Sequence, residues 1–300
     1  MLTLSPEAVL AQRDRRYRRR PELRLRTEED AANFVDEVGL CVLFPVQGME
    51  LPSLWEAING GVRPLPDHHD DDALGKTWDW KDTLPAQRKV YYGKLLRGKA
   101  TLLALDLLPS FYALSPNLGG EEDYLLEYEA GQLSQEARAI CDVLLERGAL
   151  PTGELRRFAH LSSRAHKYRF ERAISDLQRK LMVVKTDIAD AGPWHYSYVY
   201  DLFARAHRDQ VEAARYLVPR QAREMILDHY LQTAVIASRE YLAWLFGWDL
   251  EEVGRAIEAL VRMGRAEPCA VTGSGEHHVA SACREADQQP TIVRAGHSAR

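Results

Sequence analysis

Cysteine is scarce in this chain and never clustered. Four are spread over 300 residues, at Cys41, Cys141, Cys269 and Cys283. No C-x-x-C pair occurs, so neither a zinc site nor a disulfide framework has its usual spacing. Cys41 and Cys141 lie in apolar runs and read as small core residues, consistent with a reducing, cytoplasmic setting. Long apolar runs are missing too: nothing approaches the roughly 20 uninterrupted apolar residues of a membrane span. The first ten residues, Met1 to Leu10, lack the basic start and cleavage site of a secretory signal. A Gly-rich phosphate loop, H-E-x-x-H and G-x-S-x-G are all absent, which leaves ATP, metalloprotease and esterase chemistry without support. Nothing calls for a cofactor. Asp67-His-His-Asp-Asp-Asp72 and the pair His277-His278 contain metal-ligand types. Adjacent ligands on a polar loop rarely converge on one ion without distant partners, so both read as solvated and no metal is expected.

What is present suits an ordinary globular protein. The hydrophobic share is 46% and the charged share 28%, with enough apolar material for two or three small domains. The formal net charge of −5 argues against coating of nucleic acid by bulk charge, and the distribution of charge matters more than its sum. That distribution is segregated. One basic stretch runs from Arg13 through Arg20 to Arg26. A second, residues 156–180, holds eight Lys/Arg against two acids. Acidic stretches lie at Asp67–Asp72 and Glu121–Glu129.

Periodicity predicts a mainly helical chain with small antiparallel wings. Ser5-Pro-Glu opens a basic helix that reaches Arg20. Thr27-Glu-Glu-Asp30 is a capping box for a second helix, ended by Gly39. Leu40 to Val46 reads as a buried extended segment or turn, and Ser53 to Ile58 as a short helix. Trp78 to Arg97 reads as a helix interrupted near Pro85, and Lys99 to Leu107 as a strand. The Gly/Pro loop Ser115 to Gly120 closes a first unit, residues 1–120.

The second unit, residues 121–205, is the sharpest. Ser134 to Arg147 carries an apolar stripe at helical spacing and Gly148 ends it. Pro151 to Leu161 is a short second helix. Ser162-Ser163 caps a third, with Phe170, Ile174, Leu177 and Leu181 inward. Met182 to Ile188 alternates like a strand, and Trp194 to Tyr200 is an aromatic return strand. Helix, helix, helix, hairpin is the order of a winged helix-turn-helix. The order recurs about 85 residues on, in a third unit of residues 206–283: Arg220–Gln232, Ser238–Phe246, a helix opened by a capping box at Asp249-Leu-Glu-Glu252, then Arg265–Val271 and His277–Ala282 as a hairpin. Residues 284–300 are expected to be a disordered tail. The fold class is therefore α+β, a tandem array of winged helix-turn-helix units.

The last repeat, from Ile236-Ala-Ser-Arg-Glu-Tyr-Leu-Ala-Trp-Leu-Phe-Gly-Trp248 into the helix that follows, resembles the third winged helix of the AlkZ/YcaQ-like DNA glycosylases. Gly39-Leu-Cys-Val-Leu-Phe-Pro-Val-Gln47 is similar to that family's motif region, Gly-Leu-Leu-Gln-Leu-Asp-Pro-Val-Asn. Thr101-Leu-Leu-Ala-Leu-Asp-Leu-Leu-Pro109 is similar to its first wing. The resemblance spans roughly residues 5–282. It implies a bacterial protein that binds alkylated or crosslinked duplex DNA and excises the modified base by hydrolysis. The family's signature is Gln-x-Gln or Gln-x-Asp, whose polar ends hold the attacking water. Here those positions are Val42 and Phe44, which can neither move a proton nor orient water. Gln47, three residues on, is the remaining polar candidate for catalysis.

The candidate DNA-binding residues are Arg164, His166, Lys167, Tyr168, Arg169 and Arg172 on the third helix of the middle unit. A helix there can enter a major groove and reach phosphates or guanine edges. The plainer alternative is a solvated basic face. Arg15, Arg16 and Arg19 on the first helix could line a DNA backbone or be merely solvated. Lys185, with Trp194, His195 and Tyr196, could form a wing touching a minor groove, or pack the hairpin onto the core. The matching helix of the last unit opens with carboxylates, which repel phosphates, so that unit reads as structural or protein-facing. The expected partner is double-stranded DNA, damaged or distorted. The alternatives are a true glycosylase that flips and releases the base and a winged-helix scaffold that binds protein.

Overall fold

The computed structural model describes residues 2–67, 70–190, 196–273 and 277–282. His68 and His69 of the acidic loop, Trp194 and His195 of the aromatic strand, Cys283 and the expected 284–300 tail lie outside the described residues. Among those described, no helix is long and apolar enough to cross a membrane.

The chain begins with strand β1 (Leu2–Leu4) and helix α1 (Pro6–Arg16), capped by the Ser5 hydroxyl accepting from the Ala8 amide. Helix α2 (Glu28–Val38) opens with the expected capping box. The Thr27 hydroxyl accepts from the Asp30 amide at 3.1 Å, and Asp30 accepts from the Thr27 amide at 3.0 Å. These bonds satisfy donors that a helix start would otherwise leave open. Strand β2 (Leu40–Val42), helix α3 (Leu54–Asn59), helix α4 (Asp72–Ala86) and strands β3 (Val90–Gly93) and β4 (Thr101–Ala104) follow. The Trp78–Arg97 segment is thus not one interrupted helix. Pro85 sits in the last turn of α4, and Val-Tyr-Tyr-Gly continues as a strand, because it pairs antiparallel with β4 in the sheet β2-β4-β3. The strand expected to reach Leu107 ends at Ala104, and helix α5 (Leu108–Tyr112) follows.

The middle unit follows the expected order. It comprises α6 (Asp123–Glu129), α7 (Gln135–Arg147), β5 (Leu150–Pro151), α8 (Thr152–Phe158), α9 (Lys167–Arg179), β6 (Val183–Ala189) and β7 (Ser197–Leu202), with the sheet β5-β7-β6 as its wing. Ile140, Cys141, Leu144, Leu155, Phe170, Ile174, Leu177 and Val183 form its core. The third helix starts later than Ser162-Ser163 suggests. A 3-10 turn, Arg164–His166, intervenes, and neither serine caps α9 through its side chain. The turn is held instead by the Arg156 guanidinium, which donates to the carbonyls of Leu161 (3.1 Å) and Ser163 (3.2 Å).

Helices α10 (Phe203–Ala206) and α11 (Arg208–Ala214) lead to the last unit: α12 (Pro219–Ala234), β8 (Ile236–Ser238), α13 (Arg239–Phe246), α14 (Leu250–Arg262), β9 (Ala266–Val271) and β10 (His277–Ser281). Asp249 is the cap of α14 but makes no side-chain cap bond. The expected box fails because Glu252 reaches across to Arg223 of α12, at 2.6 Å, rather than back to the cap.

The first and last units interlock. β1 pairs in parallel with β9, giving the sheet β1-β9-β10-β8. Leu40, Val42, Tyr91 and Leu103 share one core with Leu227, Tyr230, Leu245 and Leu260. The end of α2 docks on α12: the Thr233 hydroxyl donates to the Val38 carbonyl at 3.2 Å. Gly39 is required at this junction. Its φ is +70°, and a Cβ there would lie 2.3 Å from the His229 ring, a conformation and an approach that only glycine tolerates.

Candidate nucleic-acid interface

The exposed face of α9 follows from its buried one. Phe170, Ala173, Ile174 and Leu177 turn inward, so residues 167–169, 171 and 172 face solvent with Arg164 of the preceding turn. Tyr168 is 72% exposed, unusual for so large a ring. Lys167 lies 3.9 Å from Glu171, and Arg169 lies 3.5 Å from Glu136, both at the surface. Among the described residues, no ion pair or hydrogen bond holds the Arg164 and Arg172 side chains. His166 is half-buried at the junction, with its Nδ1 shielded from solvent. Arg164, Tyr168 and Arg172 follow one another at a spacing of four residues. The matching helix α14 presents Glu251 and Glu252 in its first turn.

The residues of α1 divide. Arg15 is exposed and Arg16 half-buried. Arg19, just beyond α1, is turned inward. Its Nε and Nη2 donate to Glu56 Oε2 at 3.1 and 2.8 Å, and Ser53 Oγ donates to the same oxygen at 2.8 Å. Glu56 is buried, and the Arg19 guanidinium also stacks 4.7 Å from the Tyr17 ring centroid. A buried carboxylate must be paired, so Arg19 belongs to the interior rather than to a DNA-facing row.

Lys185 is likewise drawn away from a free wing. Strand β6 packs on α4 and β3 of the first unit. Lys185 Nζ lies 3.3 Å from the Tyr198 ring centroid and 4.7 Å from that of Tyr92. Burial, together with the charge of Lys81, lowers its pKa to about 7. Lys81 is itself buried. It pairs with Asp82, donates to the hydroxyls of Tyr196 (3.1 Å) and Tyr198 (2.9 Å), and faces the Trp78 ring at 5.3 Å. The Tyr196 hydroxyl donates to Asp82 at 2.5 Å. Sequence reading missed Trp78, Lys81 and Asp82. The run Trp78-Asp-Trp-Lys-Asp82 is a dense alternation of rings and charges, and that was the available signal.

The motif region lies beside this seam. Val42 is buried in β2, opposite Thr101. Phe44 is half-buried, with ring centroids of Trp78 at 5.4 Å and Trp55 at 6.2 Å. Gln47 is exposed on the turn that follows. That turn is fixed by Glu50, whose carbonyl accepts from the hydroxyls of Tyr17 (3.2 Å) and Tyr230 (3.0 Å), and whose amide donates to Tyr241 at 2.6 Å. Cys41 and Cys141 are buried in the cores, and burial raises both thiols.

Three helices and a hairpin, present in the middle unit and again in the last, define a protein of the tandem winged-helix class. The family described as AlkZ related matches residues 25–247, and the chain belongs to that family. Its fold is similar to that of the Streptomyces sahachiroi DNA glycosylase AlkZ, with a TM-score of 0.53 at 14% sequence identity, over 93% of this chain and 70% of that one. No curated protein matches the sequence.

Proposed function

We propose that this AlkZ-related protein binds double-stranded DNA through the exposed face of α9 and recognises damaged or distorted sites without hydrolysing the glycosidic bond through the family's polar pair. The observation that carries the reading is the pair of uncommitted guanidinium groups, Arg164 and Arg172, flanking the exposed Tyr168. Guanidinium groups on a groove-facing helix make bidentate contacts to phosphates or to guanine edges. Family membership and the likeness to a DNA glycosylase support DNA as the partner. Val42 and Phe44 offer a buried methyl pair and a ring where water would have to be held, which supports binding without that chemistry. In the last unit Glu251 and Glu252 open α14, so that unit serves as a structural base for the array.

The test is duplex binding as a function of salt, comparing the wild type with Arg164→Ala plus Arg172→Ala. Loss of affinity together with a shallower salt dependence supports the assignment. An unchanged isotherm removes it.

A further inference from the structure

We infer that the seam between α4 and the middle wing, built on Trp78, Phe44, Tyr196, Lys81 and Lys185, is a stacking site for one unpaired nucleobase with its flanking phosphates. The inference rests on the DNA reading above but concerns a different surface from α9. Trp78 is 46% exposed and Tyr196 43% exposed, although each is anchored on one side. Phe44 packs against the Trp78 ring at a tilt of 59°, and Asp82 fixes the Tyr196 hydroxyl. Both rings are therefore held in place with a face or edge left to solvent. Anchored, exposed rings are stacking platforms, and they tolerate any base because every base has a π-face.

Charge selects the occupant. The charges around Lys185 are those of Lys81, Lys94 and Asp82; Asp82 already matches Lys81, which leaves Lys94 and the partly protonated Lys185 as the unmatched cations of this neighbourhood. Lys94 is exposed, with its Nζ 2.9 Å from Ser175 Oγ on α9. It thus bridges the seam to the recognition helix. Lys185 makes no hydrogen bond or ion pair among the described residues; its ammonium rests on rings alone. A phosphate oxygen would give it the anionic partner it lacks. An apolar peptide would leave these cations unmatched, whereas a nucleotide matches both the rings and the charge. A base inside an intact duplex has no free face to offer, so the site selects unpaired or extruded bases.

The test uses the full chain and two duplexes of one sequence. One carries a single bulged 2-aminopurine, the other the same base fully paired. The wild type is expected to bind the bulged duplex about tenfold tighter, with quenching of the 2-aminopurine, given the usual strength of base–aromatic stacking. Trp78→Leu keeps an apolar contact to Phe44. It is expected to abolish the preference and the quenching while leaving affinity for the paired duplex unchanged. Trp78→Phe should retain both, which guards against a folding defect. Arg164→Ala plus Arg172→Ala should weaken both duplexes equally and leave the preference intact. A wild type with no preference, or a Trp78→Leu protein that keeps it, overturns the stacking site while the α9 reading stands. Binding of the bulged duplex that is indifferent to the two arginines sinks the α9 reading and leaves the seam. Binding of neither duplex sinks both.

Discussion

Lys185 Nζ stands 3.3 Å from the centroid of the Tyr198 ring, with a pKa lowered to about 7 by burial and by Lys81. In the unfolded chain the same amine titrates near 10.4. Between these values the unfolded state holds the extra proton, so stability rises with pH across that window. Below about pH 7 both states are charged and the cost of burying the ammonium is fully present. The melting temperature of the wild type is therefore expected to gain on that of Lys185→Met between pH 7 and 9.5. Differential scanning at several pH values reads this directly. Parallel curves would show that Lys185 stays charged in the fold.

Arg19 and Arg15 lie four residues apart yet are expected to behave oppositely. Arg19→Ala leaves Glu56 buried and unpaired, which costs about 3 kcal/mol. It should lower the denaturant midpoint without specifically altering DNA affinity at temperatures where the protein stays folded. Arg15→Ala, at an exposed position, should change stability by less than about 0.5 kcal/mol. Chemical denaturation of the two variants separates them, and equal midpoints would contradict the interior role of Arg19.

Base release tests the chemistry. With Val42 and Phe44 at the motif positions, the wild type is expected to liberate no free base from alkylated duplex DNA above the uncatalysed background, as followed by chromatography. Release that disappears in Gln47→Ala would instead make Gln47 catalytic and the protein a glycosylase with a non-standard residue.

The middle unit was legible because its signals are local. The apolar positions Phe170, Ile174 and Leu177, the breaks at Gly148 and around Ser162, and the alternating strands fix both the elements and the exposed face of α9. Three features were not legible, each for a tertiary reason. β1 is three residues that become a strand only by pairing with β9, more than 260 residues away. Val90–Gly93 looks like the end of a helical run until β4 supplies its hydrogen bonds. Arg19 and Lys185 carry charges that pattern reading places in solvent, yet one is claimed by Glu56 and the other by the rings of Tyr92 and Tyr198. The seam itself joins residues 78–82 to residues 185–198, a convergence that no window of sequence contains.

The central claim is that α9 meets DNA through Arg164 and Arg172. The most direct measurement is the slope of log binding constant against log salt for an undamaged duplex, with the wild type beside Arg164→Ala plus Arg172→Ala. Each lost phosphate contact reduces the slope by about 0.9. The account predicts a double variant whose slope is shallower by roughly 1–2, with weaker binding at every salt concentration. An identical slope and affinity in the two proteins would contradict it.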